Sequence, residues 1–199
     1  PPPAVVSYID TIRIANDINA AAEKGAGLTI VSVHWGTEYD TIPSAEQKRL
    51  AAAMFRSGAD IIIGSHPHVI QPMTASVDSA GLTEPVVWSM GNFISNQRQQ
   101  RRDGGAIICL ELTKRGDRVF ITEAGYILTW VYTPSENGKR RFYILPCTEF
   151  EDKPEFFRSS SDYNAMMKFA GDARRLLDAS KSGFGEVISA SDMWIMQLK

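Results

Sequence analysis

Residues 28–33 have the sequence Leu-Thr-Ile-Val-Ser-Val, and residues 60–63 have the sequence Asp-Ile-Ile-Ile. Both runs are short, apolar and rich in β-branched residues, which is typical of strands that are buried on both faces of a parallel sheet. Between them a helix is predicted to start after Ser44 as its N-cap, with Gln47 as the capping-box partner. Such a strand–helix–strand unit predicts parallel strands joined by a right-handed crossover, and therefore an α/β fold.

The rest of the chain predicts a mixed fold around this unit. Residues 10–24 predict an amphipathic helix that ends at the glycines following it. Successive strands are predicted at residues 86–88, 106–112, 119–123 and 126–132. Asn137-Gly138 predicts a hairpin tip, so this half of the chain is expected to be antiparallel or mixed. Residues 161–179 predict a final amphipathic helix.

Composition limits the class of protein. A length of 199 residues with 44% hydrophobic content fits one sizeable globular domain, or a large part of a bigger one. The formal net charge of -2 gives no general attraction to nucleic acid or to anionic membranes. The opening Pro1-Pro2-Pro3 is not a natural initiation sequence, so we expect residues upstream, with any export signal or anchor among them. Cys109 and Cys147 are either two free thiols or one disulfide.

All three histidines of the chain follow the two buried strands. His34 follows residues 28–33, and His66 and His68 follow residues 60–63. Ligands of open α/β sheets bind at the carboxyl ends of the strands, and neighbouring ends lie about 5 Å apart. Pro67 predicts extended backbone at His66, which would point His66 and His68 to the same side. Because histidine is the commonest ligand for transition metals, the pattern predicts a metal site, with hydrogen-bonded structural histidines as the alternative.

Three further residues near these histidines are candidates, each with a plainer alternative. Glu38, in the polar turn after His34, offers a carboxylate to a metal, although acids in turns are usually only solvated. Trp35 either packs in the core or stacks on a substrate. Asn92 follows a glycine that allows close backbone approach, so it either presents its amide to a metal or a substrate oxygen or forms an ordinary turn.

The loop at residues 96–105 adds candidate anion-binding groups. It contains Arg98, Arg101 and Arg102, whose guanidinium groups suit bidentate contacts with phosphate or carboxylate. Of these we take Arg98, with Trp35, as the substrate-binding candidates. Solvated arginines in a polar loop are the alternative interpretation.

Four motifs together resemble a known family. They are His-Trp-Gly-Thr-Glu-Tyr at residues 34–39, Gln47, Gly-Ala-Asp-Ile-Ile-Ile-Gly-Ser-His-Pro-His-Val at residues 58–69, and Trp-Ser-Met-Gly-Asn-Phe at residues 88–93. In order and spacing they closely resemble the CapA-type capsule synthesis, or poly-γ-glutamate synthesis, family of the calcineurin-like metallophosphoesterase superfamily.

The resemblance implies a layered αββα sandwich, of which this chain is the C-terminal part. It also implies two divalent metal ions, such as Mn, Fe or Zn, with His34 and His66 on one ion and His68 on the other. Glu38 and Asn92 would lie in the wall of the catalytic site. A single zinc ion bound by the three histidines alone is a further alternative.

The resemblance also defines the expected organisation of the chain. Residues 1–150 would form the C-terminal part of the metallophosphoesterase-like domain, and residues 151–199 a helical extension packed on it. Earlier family motifs, an Asp in a Gly-Asp strand end, an Asn-Leu-Glu and an Asn-Asn-His, do not occur here. We expect them in an upstream segment whose Asp, Glu and His side chains meet the three histidines.

The implied function is that of a metal-dependent, phosphoesterase-like hydrolase in the biosynthesis of a capsule or poly-γ-glutamate. Its substrate would be phosphorylated or polyanionic and located in the bacterial cell envelope, outside the cytoplasm. No nucleic acid is expected as a partner, and a membrane only through an upstream anchor. The alternative is a non-catalytic component that binds polymer within a synthesis or export assembly.

Overall fold

The computed structural model describes residues 8–79, 81–180 and 183–187. The helices are α1 (Thr11–Glu23), α2 (Ala45–Arg56), the one-turn α3 (Cys147–Phe150) and α4 (Ser160–Asp178), and a 3₁₀ turn spans Pro154–Phe156. The strands are β1 (Ile30–His34), β2 (Ile61–Ser65), β3 (Met73–Asp78), β4 (Gly81–Val87), β5 (Gly104–Arg115), β6 (Arg118–Tyr132), β7 (Ser135–Glu136), β8 (Lys139–Arg140), β9 (Tyr143–Pro146) and β10 (Phe184–Glu186).

One mixed sheet positions the site. Within the described residues it has eight strands, with a path that runs β1–β2–β4–β6–β10. The strands β1, β2 and β4 are parallel neighbours, whereas β6 pairs antiparallel with β4, β5 and β9. β3 lies antiparallel to β4, and β7 and β8 form a separate hairpin. The predicted α/β class with mixed strand directions is confirmed, as is the parallel pairing of the two strands that precede the histidines.

The start of α2 shows how sequence fixes the crossover between β1 and β2. The Ser44 hydroxyl accepts a hydrogen bond from the Gln47 backbone N–H (3.1 Å), and the Gln47 side-chain oxygen accepts one from the Ser44 N–H (3.0 Å). This reciprocal pair is the predicted capping box, and it satisfies two N–H groups that the first turn of a helix leaves without partners. The helix therefore begins at a defined residue, immediately after the loop that carries Glu38.

Two hydrophobic clusters place helices against different parts of the sheet. In the first, Ile18 of α1 and Met54 of α2 pack with Ile62 of β2. In the second, Met166 and Phe169 of α4 pack with the β6 side chains. This arrangement is consistent with a layered α/β sandwich. The proposed division at residue 150 stays a prediction, and its outer ends, residues 1–7 and 188–199, lie outside the described residues.

The second half differs from the sequence prediction in the division of its strands, and it decides between the two alternatives for the cysteines. The strands predicted at residues 119–123 and 126–132 are one strand, β6, because β5 also pairs across the gap between them, with Leu110 opposite Ala124 and Cys109 opposite Gly125. Both cysteines are free thiols, so the disulfide alternative is wrong. In the part of the chain that the structure describes, no helix is both long and apolar enough to span a membrane.

Candidate metal centre

The three histidines lie side by side at the carboxyl ends of β1 and β2. The parallel register pairs His34 with Ser65, the residue directly before His66. The ring centroids of His34 and His66 are 4.6 Å apart, and those of His66 and His68 are 6.1 Å apart. His66 therefore neighbours both other imidazoles. The direct pairing of two parallel strands produces this arrangement, as their carboxyl ends meet at one edge of the sheet.

The backbone of the second histidine motif does not have the predicted conformation. His66 has φ 103 and His68 has φ 58, so the expectation of extended backbone at His66 is wrong. Pro67 is buried, and its carbonyl oxygen accepts a hydrogen bond of 2.7 Å from the Tyr39 N–H. These tertiary contacts outweigh the local preference of a residue that precedes proline. Such left-handed backbone costs on the order of 1–3 kcal/mol per residue and is concentrated at functional sites.

Glu38 joins two of the histidines in a group that fits a metal ion. One ligand atom from each of Glu38, His66 and His68 lies within 4.8 Å of the others. The Glu38 Oε1 atom is 3.9 Å from His68 Nε2. The carboxylate that the sequence offered as a candidate is thus adjacent to the imidazoles. His34 is outside this three-residue group, but its ring is the closer neighbour of His66, with centroids 4.6 Å apart against 6.1 Å for His66 and His68.

Asn92 fixes which nitrogen of His68 is free. The Asn92 Nδ2 group donates to the carbonyl oxygen of Arg102 (2.7 Å) and that of His68 (3.3 Å), which directs its Oδ1 atom toward His68. His68 Nδ1 lies 2.9 Å from this Oδ1. Because an amide oxygen only accepts hydrogen bonds, Nδ1 carries the proton and Nε2 keeps its lone pair. That lone pair is directed to the Glu38 side, as a metal ligand requires.

The Asn92→Ala variant tests this positioning role. We expect its affinity for Mn²⁺ to fall about 10- to 100-fold, the usual cost of losing a partner that orients a metal ligand. In the metal-free protein, ¹⁵N NMR should show that His68 changes from one Nδ1–H tautomer to a mixture. Asn96→Ala, which removes an exposed amide bonded to Arg140 in the adjacent loop, is the matched control. An unchanged tautomer in Asn92→Ala would exclude the role.

The surroundings of His34 favour the neutral form of its imidazole. Its Nδ1 atom lies 3.2 Å from the hydroxyl of Ser65, and the residue is exposed. Desolvation by the surrounding protein lowers the pKa of His34, and the neighbouring His66 and His68 lower it further. A lowered pKa favours the neutral imidazole at neutral pH, and this is the form that binds metals.

The two substrate-binding candidates both have partners within the protein. Trp35 is only 3% exposed, its ring stacks on Trp88 with centroids 5.6 Å apart, and its Nε1–H donates to the Trp88 carbonyl (3.0 Å). The structure thus favours the packing interpretation of Trp35. Arg98 is half-buried, and its nitrogens donate to acceptors of the protein itself. These acceptors are the carbonyls of Gln97, Val131 and Asp103 and the hydroxyl of Thr133.

One buried residue that sequence reasoning missed holds the Glu38 loop in place. Gln71 is 0% exposed, and its Oε1 accepts a hydrogen bond of 2.9 Å from Gln47 Nε2. Its own Nε2 donates to the carbonyl oxygen of Asp40 at 2.9 Å. The start of α2 is thus connected to the loop two residues after Glu38. The only sequence signal for this positioning role is that Gln71 is a polar residue within an otherwise apolar stretch.

An open cleft of about 870 Å³ borders His34 and His66. Its lining comes from the beginning of α1, the loop after β1 and the first turns of α2. The cleft is large enough for a small ligand, for which pockets of about 300–1,000 Å³ are usual. Two of the three imidazoles are therefore accessible from one side.

Comparisons with known proteins point to one family. Residues 2–97 match the family model described as bacterial capsule synthesis protein PGA_cap. The PGA biosynthesis protein CapA of Bacillus subtilis (strain 168) is 39% identical over 95 residues, which are 48% of this chain and 24% of that protein. The capsule biosynthesis protein CapA of Bacillus anthracis is 40% identical over 94 residues, 47% of this chain and 22% of that protein. The matched part thus spans about a quarter of the length of these curated relatives.

Proposed function

We propose that this chain, whose residues 2–97 belong to the CapA-type capsule synthesis family, acts in capsule or poly-γ-glutamate biosynthesis as a metal-dependent, phosphoesterase-like hydrolase. The names of its relatives support the biosynthetic role and, with it, a location at the bacterial cell envelope. The observation that carries the hydrolase proposal is the group formed by Glu38, His66 and His68, whose ligand atoms lie within 4.8 Å of one another.

The donor set suits a transition metal. Imidazole and carboxylate ligands together are typical of Mn²⁺, Fe²⁺ and Zn²⁺. The Asn92 hydrogen bond to His68 supplies the partner that metal-bound histidines usually have. Glu38, His66 and His68 would hold one ion, and His34 would serve a second ion beside His66. We further propose that carboxylates of a segment preceding residue 1 complete the second position.

The chemistry is divided between the ions and the side chains. When bound, divalent ions polarise the electrophilic group of the substrate and lower the pKa of water. The side chains of the protein position the metal ligands and give the substrate access. Asn92 holds His68 in the tautomer with a free Nε2, Gln71 fixes the loop of Glu38, and the cleft beside His34 admits the substrate. This ligand set would serve attack on phosphorus as well as on an amide carbonyl. A phosphorylated precursor offers the phosphorus, and a polyanionic poly-γ-glutamate chain offers the amide carbonyl.

Turnover of p-nitrophenyl phosphate with added Mn²⁺ tests the proposal. We expect turnover that a chelator abolishes and that falls at least ~100-fold in Glu38→Gln and in His68→Ala, because each removes a metal ligand. Glu155→Gln, which neutralises an exposed carboxylate in the 3₁₀ turn, should keep wild-type activity. Metal-dependent turnover that survives both ligand variants would contradict the site.

A variant that lacks all three histidines separates the hydrolase from the non-catalytic alternative. A protein that only binds polymer should retain a poly-γ-glutamate chain after all three histidines are replaced by alanine. Retention of the polymer by that triple variant, together with an absence of turnover in the wild type, would favour the binding component over the hydrolase.

A further inference from the structure

We infer that Arg102 binds the anionic group of the substrate beside the metal centre. This inference rests on the proposed function and specifies its substrate class: a group with anionic oxygens, either phosphate or carboxylate.

The three loop arginines have different partners. Arg98 donates its hydrogen bonds to carbonyl oxygens and a hydroxyl of the protein. Arg101 pairs with Asp172, with 3.5 Å between Nε and Oδ2, and Arg175 pairs with the same carboxylate. Arg102 has no carboxylate partner among residues 8–79, 81–180 and 183–187, and no hydrogen bond of its side chain is seen there. Its guanidinium donors are thus the uncommitted ones in this loop.

Arg102 is nevertheless held in place. Its Cζ atom lies 3.3 Å from the centroid of the Tyr39 ring, an arrangement that positions a guanidinium without neutralising it. The backbone of Tyr39 is held in turn, because its N–H donates to the Pro67 carbonyl. The backbone of Arg102 is held as well, since its carbonyl oxygen accepts the 2.7 Å hydrogen bond from Asn92.

The same contacts place the cation next to the metal ligands. The Tyr39 and His68 ring centroids are 6.2 Å apart, and Arg102 Cζ is 3.3 Å from the Tyr39 centroid, so Cζ lies within about 10 Å of the His68 ring. Asn92 bonds to the His68 ring and to the Arg102 backbone alike. A substrate bound at the proposed ions would therefore have, within about 10 Å of the His68 ring, a guanidinium that lacks a carboxylate partner among the described residues.

The chemistry of the guanidinium defines the ligand. Its planar fork of N–H donors matches two oxygens of a phosphate or a carboxylate, and such charge-assisted bonds are about twice as strong as neutral ones. Stacking on Tyr39 uses the face of the fork and leaves its edges for the ligand. Arg102 therefore selects substrates with an anionic group close to the reacting bond.

Titration calorimetry with two anionic probes tests the inference. The probes are inorganic phosphate and a γ-linked glutamate oligomer, each added to the protein with and without Mn²⁺. We expect Arg102→Gln to weaken binding of at least one probe about 10- to 100-fold, as loss of a hydrogen bond to a charged group does, with unchanged affinity for Mn²⁺. Tyr39→Leu should weaken it too, whereas Tyr39→Phe, which keeps the ring, should not.

Arg118 provides the matched control for the Arg102 variant. Arg118 also lies over an aromatic ring, that of Phe120 at 5.1 Å, but at the start of β6, so Arg118→Gln should bind like the wild type. The probe whose affinity falls identifies the anion as phosphate or carboxylate. Equal affinities in wild type and Arg102→Gln for both probes, or binding of neither probe, would overturn the inference. Failure to bind Mn²⁺ would instead count against the proposed function, and the metal-free titrations would still decide the role of Arg102.

Discussion

His66→Ala is expected to weaken Mn²⁺ binding by more than the ~100-fold that loss of an outer partner can cost, because it removes a ligand itself. His66 is also the imidazole next to both others, with ring centroids 4.6 Å from His34 and 6.1 Å from His68. Loss of His66 therefore removes a donor both from an ion held with Glu38 and His68 and from a single ion held by the three histidines. Electron paramagnetic resonance of Mn²⁺ titrations would measure both affinity and the number of ions bound.

His34→Ala distinguishes the possible arrangements of ligands. If one ion binds to Glu38, His66 and His68, His34→Ala should lower the affinity far less than His66→Ala does. If two ions bind, His34→Ala should remove one of them and leave the other. A loss in His34→Ala equal to that in His66→Ala, together with unchanged binding in Glu38→Gln, would instead support a single ion on the three histidines. Equal Mn²⁺ affinity in wild type and His66→Ala would exclude the site.

Gly64→Ala is expected to destabilise the fold by about 3–5 kcal/mol, the combined cost of overpacking a core and leaving a buried donor unpaired. A Cβ atom at Gly64 would overlap the Trp88 carbonyl oxygen and Trp35 Nε1. These two atoms form the 3.0 Å hydrogen bond that joins the stacked indoles. The methyl group therefore disrupts the hydrogen bond and the stacking together. Urea unfolding followed by tryptophan fluorescence and circular dichroism would give the free energy of unfolding.

Gly185→Ala is the matched control in another strand. Nothing lies within 4 Å of a Cβ atom built at Gly185, and its φ is outside the left-handed region. Alanine there should change the free energy of unfolding by no more than about 1 kcal/mol, with stabilisation the usual direction. Similar free energies for the two variants would show that the packing around Trp35 tolerates extra volume. Since Gly64 is two residues before His66, we also expect Gly64→Ala to impair metal binding.

The meeting of the histidines could be predicted because it depends on simple geometry. Two buried, β-branched runs joined by a capped helix form neighbouring parallel strands, and the residues that follow them must meet at one edge of the sheet. His34 and His66 therefore become neighbours whatever the rest of the chain does. The capping box of Ser44 and Gln47 is equally local, since its two hydrogen bonds involve residues three positions apart.

The finer features of the site depend on contacts between distant segments. The left-handed backbone of His66 lies next to Pro67, whose carbonyl accepts a hydrogen bond from Tyr39, a contact between distant segments that no local preference indicates. The role of Gln71 depends on where the loop after β1 returns to the sheet. Among the loop arginines the sequence favoured Arg98, but the path of the loop uses Arg98 for internal bonds and leaves Arg102 over Tyr39. Residue types alone contain no information about that path.

The left-handed backbone at His66 and His68 lowers the stability of the fold at two positions of the candidate metal centre. Glycine adopts these φ values without cost, and asparagine adopts them more easily than histidine does. At both positions the residue with the best backbone fit is thus one without an imidazole. Selection for thermal stability alone would favour loss of these histidines, so the chain retains two imidazoles at positions where they lower the stability of the fold.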